Sequence, residues 1–295
     1  MKDEIVIAEA FGKEVRIHAA RTTAMCEEAR IKHHCLPTSA AALGRIMTVT
    51  ALMASDLKKD DETITVVFNG HGPAGTVLVN AKGNGDVKGF ISDPSLYLVR
   101  EDGHLAVGQA IGTNGTLTVT KDLGLKEPFS GMVKLQTGEV GEDFAYYFTV
   151  SEQTPSAVSV GVLVAPEGNV QAAGGMIIQM MPGAKSETVD ACVAITSKLP
   201  PMSTMIESGM SIDDIIHKYF PDANILGHRD TRYHCGCTKE HYSEALATLK
   251  DSDLDELIEA GRPAEIVCQY CNTKYEFTPD ELKEIKKEKC GTSVK

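Results

Sequence analysis

Residues His234–His241 read HCGCTKEH, and residues Glu265–Phe277 read EIVCQYCNTKYEF. Together they supply four thiols in two close pairs: Cys235, Cys237, Cys268 and Cys271. Two close pairs joined by about thirty residues can each form one edge of a tetrahedral metal site, which zinc fills with thiolates at about 2.3 Å. The sequence therefore predicts one structural or regulatory Zn²⁺ per chain on these four cysteines. The alternative of four unrelated buried cysteines is disfavoured by the paired spacing.

The first pair is a C-x-C rather than the commoner C-x-x-C. Both sulfurs can reach one metal, but a disulfide between them closes a very small ring, which departs from relaxed disulfide geometry and is easily reduced. The cluster can therefore be a zinc site when reduced and a pair of local disulfides when oxidised. That suggests a switch, although spacing alone does not prove one.

Composition limits the classes of protein that this chain can belong to. Its 295 residues suffice for one good core and a smaller unit. The net charge of −12 repels phosphate backbones, so no nucleic-acid partner is expected. The N-terminus MKDEIVIAEAFGKE lacks a signal-peptide pattern, and no apolar run is long enough to span a membrane. We expect a cytoplasmic protein without a membrane partner, whose cysteines stay reduced at rest.

Periodicity predicts an α+β core domain over residues 1–182, with mixed sheets and packed helices. A helix from Thr22 to His34 precedes an almost wholly apolar one over Ala40–Leu57, capped by Thr38 or Ser39. Asn114-Gly115 predicts a hairpin turn, and Glu139–Val150 is open to a short helix or to a strand through Tyr146–Val150. The predicted strands are Glu4–Ile7, Val15–Ala19, Thr63–Phe68, Thr76–Asn80, Val87–Ser92, Thr116–Thr120, Met132–Gln136, Val158–Val164 and Val170–Met181.

Residues 183–230 read as a metastable helical linker. One helix starts at Ser186 and stops before Pro200, and two more are predicted at Met202–Ser208 and Ser211–Tyr219. Helices this short form little core of their own, so they must lean on another part of the molecule, which we expect to be the first domain.

Residues 231–295 read as a zinc-binding redox-switch domain. Ala264–Val267 and Lys274–Phe277 predict a hairpin with the second cysteine pair in its turn, and Ser252 can cap a helix ahead of it. Thr278 to Glu281 form a capping box for a last helix. The segment offers few large apolar residues, whereas zinc contributes about 10–16 kcal/mol in small domains. We therefore expect this unit to unfold when it loses the metal.

Other motifs receive plainer interpretations. Gly70–Gly75 matches G-x-G-x-x-G, but a strand rather than a helix follows, so we interpret it as a hairpin turn and expect no nucleotide. The methionine-rich run Met176–Met181 could suit a promiscuous binding surface, but a buried strand is favoured. His33 and His34 are interpreted as solvated rather than as metal ligands, since adjacent helical residues point to different faces. Three further histidines are interpreted as surface or second-sphere residues rather than ligands: His228, His234 and His241. The isolated cysteines are interpreted as small structural residues: Cys26, Cys35, Cys192 and Cys290.

Several stretches together resemble one known family, the redox-regulated 33-kDa heat-shock chaperones of bacteria. The resemblance rests on the two cysteine segments quoted above and on five further stretches: ARTTAMCEEAR (20–30), PTSAAALGRIMT (37–48), IGTNGTLTVTKDLGL (111–125), GEDFAYYFTVSEQTPSAVSVGVLV (141–164) and AAGGMIIQMMPGA (172–184). They run through nearly the whole chain. The combination of C-x-C with a distant C-x-x-C is specific, which strengthens the resemblance to this family.

The resemblance implies a chaperone that holds unfolding proteins without ATP. In the reduced state the four cysteines would bind zinc and the protein would be inactive. Oxidants would then form the disulfides Cys235–Cys237 and Cys268–Cys271, release zinc and unfold the last domain and the linker. Oxidised members of the family form homodimers, and pass clients to ATP-dependent chaperones after reduction. The expected function is thus protection of unfolding proteins under oxidative stress, and the protein is not expected to be an enzyme.

Three rival functions predict different behaviour. A constitutive zinc module that binds a partner or nucleic acid would only be damaged by oxidation. A thiol–disulfide oxidoreductase using Cys268 and Cys271 would place them at a helix N-terminus, whereas here they lie in a predicted hairpin. A catalytic zinc enzyme would need an open coordination position, which four cysteines do not leave.

Overall fold

The computed structural model describes residues 2–292 of the chain, with side chains up to Lys289. The chain divides between His234 and Cys235 into two compact units. Within the described part of the chain, no helix combines the length and apolar character needed to cross a membrane.

Strands and helices alternate along most of the chain. The strands are β1 Glu4–Ala10, β2 Val15–Arg21, β3 Thr63–Asn69, β4 Thr76–Lys82, β5 Asp86–Ile91, β6 Thr116–Asp122, β7 Phe129–Lys134, β8 Ser156–Val164, β9 Val170–Met180, β10 Asn224–Asp230, β11 Arg232–Tyr233, β12 Ala264–Val267 and β13 Lys274–Phe277. The α-helices are α1 Thr23–His33, α2 Pro37–Ala54, α3 Val107–Ile111, α4 Val140–Val150, α5 Ser186–Thr196, α6 Met202–Glu207, α7 Ile212–Tyr219, α8 Lys239–Ala247, α9 Asp251–Glu259 and α10 Pro279–Thr292. A 3-10 turn over Phe11–Lys13 joins β1 to β2.

Two sheets build the first unit. The five-stranded sheet has the order β10-β1-β2-β9-β8, with antiparallel neighbours throughout. The six-stranded sheet has the order β11-β5-β4-β3-β6-β7, in which β11 pairs with β5 in parallel and the other neighbours are antiparallel. The prediction of an α+β fold with mixed sheets is therefore confirmed.

Helix α2 forms the centre of the first unit and contacts strands of both sheets. Its residues from Thr38 to Ala54 are almost all buried, because alanine, leucine, isoleucine and methionine occupy nearly every face. The predicted capping by Thr38 or Ser39 is wrong, because the helix begins at Pro37 and both hydroxyls lie inside it. They bind a neighbouring loop instead, where Thr38 Oγ1 donates to Leu98 O at 2.9 Å.

Two other local predictions are resolved by the structure. The expected hairpin turn at Asn114-Gly115 is wrong: the short helix α3 precedes it, and β6 pairs with β3 and β7. The ambiguous segment Glu139–Val150 forms helix α4, in which Asp143 accepts hydrogen bonds from the backbone N–H groups of residues 136–138. The predicted core hairpin of β8 and β9 is confirmed.

The helices α5, α6 and α7 lie where the sequence predicted three short helices, and they cover one face of the five-stranded sheet. That face contributes Val6, Ala8, Ile17 and Met176, among others, to a shared apolar cluster. From the helices and the residue after them the cluster receives Cys192, Met202, Met205, Ile206, Ile212, Ile215, Ile216 and Phe220. The strand β10 was not predicted: after α7 the chain returns to the sheet and pairs with β1 at its edge.

The described part of the second unit contains the hairpin β12–β13 and the helices α8, α9 and α10. The hairpin and the capping box are confirmed: Glu281 N–H donates to Thr278 Oγ1, and the Glu281 carboxylate accepts from Thr278 N–H at 2.8 Å. Ser252 is not a cap, because α9 begins at Asp251 with Lys250 before it. The main buried cluster of this unit is small and consists of Leu246, Phe277, Leu282 and Ile285.

Candidate metal centre

The second cysteine pair lies in the turn of the β12–β13 hairpin. Cys268 N–H donates to Thr273 O at 3.0 Å, and Cys268 O accepts from Asn272 N–H at 2.8 Å. Asn272 has a positive φ of 56°, which asparagine tolerates better than most residues. This tight turn holds Cys268 and Cys271 together and buries both.

The first pair lies on the short segment that leads into α8. Gly236, between the two cysteines, has φ 65°, a left-handed conformation that glycine adopts without steric cost. Thr238 then caps α8, since its side-chain oxygen accepts a hydrogen bond from His241 N–H at 3.2 Å. The cap and the glycine together fix the positions of Cys235 and Cys237 relative to the start of α8. Both cysteines are half-buried.

The four sulfurs converge on one point. Cys235 Sγ lies 3.6 Å from Cys268 Sγ, and Cys237 Sγ lies 3.3 Å from Cys271 Sγ. All four sulfurs lie within 4.8 Å of one another. A tetrahedral zinc–thiolate site has sulfur–sulfur edges of about 3.8 Å, given bonds of about 2.3 Å. The donor set and its spacing therefore fit a metal ion bound by four thiolates, and are compatible with zinc.

Neighbouring hydroxyl groups contact two of the sulfurs. Tyr275 OH donates to Cys237 O at 2.9 Å and lies 3.2 Å from Cys237 Sγ. The Thr273 hydroxyl lies 3.2 Å from Cys271 Sγ. Such contacts orient metal ligands and stabilise thiolate charge. Neither Tyr275 nor Thr273 was predicted from the sequence, because a hydroxyl contact to sulfur depends on how the hairpin folds.

The thiols of Cys235 and Cys268 differ in acidity. Burial, together with hydrogen bonds to Cys237 and Cys268, raises the pKa of Cys235 well above its ordinary value. Burial also opposes ionisation of Cys268, but hydrogen bonds from Tyr242, a backbone N–H and Cys235 outweigh it and lower its pKa to about 7. Of Cys235 and Cys268, Cys268 therefore more readily gives a thiolate, the form that binds metals and reacts with oxidants.

The remaining candidate residues lie elsewhere. Cys26, Cys35 and Cys192 are buried, and burial raises the pKa of the Cys26 thiol to about 12, which makes it a poor nucleophile. The side chain of Cys290 lies outside the described part of the chain. Within that part, the cluster of possible metal ligands contains the four predicted cysteines and none of the histidines.

Four of these five histidines are exposed, as predicted: His34, His228, His234 and His241. The Nε2 atom of His228 lies 3.0 Å from Asp213 Oδ1. The interpretation of His33 as solvated is wrong, because that side chain is buried in α1. The glycine-rich loop Gly70–Gly75 leads into strand β4, as predicted. The element after this loop is therefore not a helix whose N-terminus could bind a phosphate.

Comparison with known proteins gives one consistent result. The family described as "Hsp33 protein" matches residues 3–278. A 33 kDa chaperonin of Clostridium botulinum (strain Eklund 17B / Type B) is 46% identical over 292 residues, covering 97% of this chain and 98% of the relative. That of Bacillus subtilis (strain 168) is 42% identical over 286 residues, covering 96% and 98%. The crystal structure of the Thermotoga maritima 33 kDa chaperonin (heat shock protein 33 homolog) is 33% identical with a TM-score of 0.90, covering 99% of this chain and 100% of the other.

Proposed function

The chain belongs to the Hsp33 family, which is a family of chaperones and not of enzymes, and we propose that its chaperone activity is switched on by oxidation of Cys235, Cys237, Cys268 and Cys271. The observation that carries the proposal is the convergence of these four sulfurs within 4.8 Å. A chaperone role implies that the protein binds unfolded clients. We further propose that the activity is under redox control and that the protein holds its clients without ATP.

In the reduced state the four thiolates hold one zinc ion. A bound ion would supply four metal–thiolate bonds between the hairpin turn and the segment before α8, in a unit whose main buried cluster contains four residues. Structural zinc contributes about 10–16 kcal/mol in small domains, which equals or exceeds a typical whole-domain stability of about 5–15 kcal/mol. The fold of residues 235–292 thus depends on the cysteines remaining thiolates.

Oxidation removes the ligands. Two thiolates give two electrons to one peroxide molecule, whose O–O bond breaks; with two protons from solvent the peroxide becomes two water molecules, and one disulfide forms. We propose the pairs Cys235–Cys237 and Cys268–Cys271, which are neighbours along the chain and need little backbone movement. With no thiolate left, the site can no longer hold the metal, and residues 235–292 lose most of their stability.

Residues 183–230 are the segment that we propose responds next. The helices in it contain 11, 6 and 8 residues, which is too short for independent stability. Helix α5 buries only Thr188 and Cys192, and its Val193 side chain is 58% exposed. The helix is therefore only weakly stabilised by packing against the sheet. Unfolding of this segment would uncover the apolar face of β1, β2 and β9 and provide new surface for clients.

The remaining parts of the proposal concern partners and location. We propose that the oxidised protein forms a homodimer, that it acts in the cytoplasm under oxidative stress, and that ATP-dependent chaperones receive its clients. No nucleotide takes part. The alternative of a thiol–disulfide oxidoreductase is disfavoured by the hairpin around Cys268 and Cys271, because redox-active C-x-x-C pairs normally start a helix.

The proposal is tested by comparing the wild type with a variant in which all four cysteines are serines. Aggregation of a chemically denatured test protein is followed by light scattering, before and after peroxide treatment and without ATP. The wild type should suppress aggregation only after peroxide, whereas the variant should bind no zinc and show no response to peroxide. Cys35→Ala, outside the metal cluster and outside residues 183–230, is the matched control and should respond like the wild type. A four-serine variant that still responds to peroxide would overturn the proposal.

A further inference from the structure

A cavity of about 200 Å³ lies inside the first unit, between helix α2 and strands of both sheets. Its walls come from α2 and the residues just after it, from β2 and β9, from β3 and β6, and from the end of α4. We call it the His18 cavity, after the buried histidine of β2 in its wall. Most of the wall is apolar, as in typical small-molecule sites. Six of the lining side chains are apolar and buried: Leu52, Met53, Leu57, Ile64, Phe148 and Ile177.

Hydrogen bonds around Ser55 determine which ring nitrogen of His18 carries the proton. Ser55 Oγ donates its single hydrogen to Leu52 O at 2.6 Å, so it accepts from His18 Nδ1, which lies 2.8 Å away. Burial lowers the pKa of His18 to about 4, so the ring is neutral at pH 7 and its one N–H is on Nδ1. The other ring nitrogen, Nε2, therefore carries a lone pair and acts as an acceptor.

The lone pair of His18 Nε2 receives no hydrogen bond from the described part of the chain. Only 2% of the side-chain surface of His18 is exposed, so bulk water does not satisfy this acceptor either. Asp56 Oδ2, which belongs to the cavity wall, lies 3.6 Å from Nε2 and is itself an acceptor. Nε2 is thus the ring nitrogen on the cavity side. Since a buried acceptor without a donor is costly, the site favours a ligand that brings a donor.

The charged groups in the cavity wall already have partners of opposite sign. Lys121 Nζ lies 2.5 Å from Glu152 Oε1, and Asp56 Oδ1 lies 2.5 Å from Arg16 Nη2. A charged ligand would lose its hydration among apolar side chains without meeting an uncompensated charge. The ligand that fits is therefore neutral, with a donor at one end and an apolar body.

Volume and wall chemistry limit the apolar body to about one ring. A dry apolar cavity of about 150 Å³ accommodates benzene, so the somewhat larger His18 cavity has room for a ring with small substituents. Phe148 offers an aromatic ring and Met53 a thioether sulfur to the interior. Both groups make favourable contacts with aromatic rings.

We propose that the His18 cavity binds a small neutral phenol, whose hydroxyl donates to His18 Nε2 and whose ring lies among the buried apolar side chains. The site belongs to the folded first unit and does not depend on redox control. Because such a ligand binds the folded unit and not the unfolded chain, it stabilises the first unit.

The test compares three ligands with the reduced full chain. The probe p-cresol has the hydroxyl donor, 4-methylanisole has the same oxygen without its hydrogen, and toluene has no oxygen. We expect p-cresol to bind at least about fivefold more tightly than either of the others, because it alone supplies a hydrogen to Nε2. Equal affinities for p-cresol and toluene would overturn the proposal, since the cavity would then be an apolar space without a donor site.

NMR of protein labelled with ¹³C at the methionine methyl groups locates the binding. The Met53 signal, assigned with Met53→Leu, should shift as p-cresol is added, because Met53 lines the cavity. Met132, which is 66% exposed on β7, is the matched probe and its signal should stay in place. A titration that leaves the Met53 signal unchanged would also overturn the proposal.

The variant His18→Asn removes Nε2 and keeps a side chain that can reach Ser55. It should bind toluene within about threefold of wild type, while the preference for p-cresol over toluene should disappear. A merely structural role of His18 would weaken both ligands equally and leave the preference intact, which would contradict the assignment. His104→Asn, an exposed histidine outside the cavity, is the control and should keep the wild-type preference. The three-ligand comparison in wild type decides the proposal even if His18→Asn does not fold.

Discussion

Tyr275 contacts both the apolar packing of the second unit and one of the four cysteine sulfurs. Its ring contacts Tyr242, with centroids 5.0 Å apart, and its hydroxyl lies 3.2 Å from Cys237 Sγ. The grouping of the four cysteines was predictable from sequence, because the spacing of paired cysteines is enough to indicate a metal site. Tyr275 and Thr273 were not, because a hydroxyl contact to sulfur depends on the fold of the hairpin and leaves no spacing pattern.

Tyr275→Phe should weaken zinc binding about tenfold while leaving the fold intact, because it removes only the hydroxyl next to Cys237. Competition with a chromogenic chelator in reduced protein measures the effect. Tyr146→Phe, a half-exposed tyrosine of α4, is the control and should leave zinc affinity unchanged. An unaltered zinc affinity in Tyr275→Phe would show that the hydroxyl does not support the ligand.

His18 makes the stability of the first unit depend on pH. Burial, partly opposed by Asp56, lowers its pKa from 6.5 to about 4, and its Nδ1 lies 2.8 Å from Ser55 Oγ. The unfolded chain binds the proton more readily than the folded one, so the contribution is fully present above pH 6.5 and is lost as pH falls towards 4. Between about pH 7 and pH 4 the wild type should lose about 3 kcal/mol of unfolding free energy through this residue.

Urea denaturation at both pH values measures that loss, with His18→Asn as the reference, since asparagine can keep the bond to Ser55. The wild type should lose about 3 kcal/mol more than the variant between about pH 7 and pH 4. Equal losses in both proteins would mean that His18 does not titrate as described.

At the scale of elements, helix α5 is held at its start by a residue from another part of the chain. The helix has no cap of its own, and the Glu14 carboxylate accepts hydrogen bonds from Lys185 N–H at 3.0 Å and from Thr188 Oγ1 at 2.5 Å. Sequence periodicity predicted α5, α6 and α7 because amphipathic spacing is local. It did not predict β10 or the role of Glu14, since one depends on an edge that only the assembled sheet provides and the other on a partner 171 residues away.

Glu14→Ala should therefore loosen α5 in the reduced protein. Amide hydrogens of residues 186–196 should exchange faster, while those of α2 keep their protection, and hydrogen–deuterium exchange with mass spectrometry can measure both. Glu167→Ala, at an exposed turn, is the matched control and should leave the exchange of α5 unchanged. No acceleration in Glu14→Ala would show that the cap does not hold the helix.

At the scale of the whole molecule, the two units differ in what stabilises them. The first contains the almost wholly buried helix α2 between two sheets, whereas the main buried cluster of the second contains four residues. The shortage of large apolar residues after Thr231 is visible in the sequence, because composition is a local property. The pairing order of the sheets was not predictable, since β11 joins β5 in parallel from a point 146 residues further along the chain.

Removal of the metal should therefore unfold one unit and spare the other. A zinc chelator added to the reduced protein should abolish exchange protection in residues 239–292, and protection in α2, β3 and β4 should persist. Hydrogen exchange of the same sample with and without chelator measures both regions at once. Retained protection in the second unit would mean that its apolar cluster suffices without the metal.

The most direct test of the redox switch follows zinc release and chaperone activity in one sample during peroxide treatment. A chromogenic zinc indicator and light scattering of a denatured test protein record the two quantities, and mass spectrometry counts the disulfides. The account predicts about one zinc per chain at the start, and a rise in suppression of aggregation that follows zinc release and the formation of two disulfides. Activity that appears while zinc stays bound, or zinc release that leaves only a precipitating protein, would contradict it.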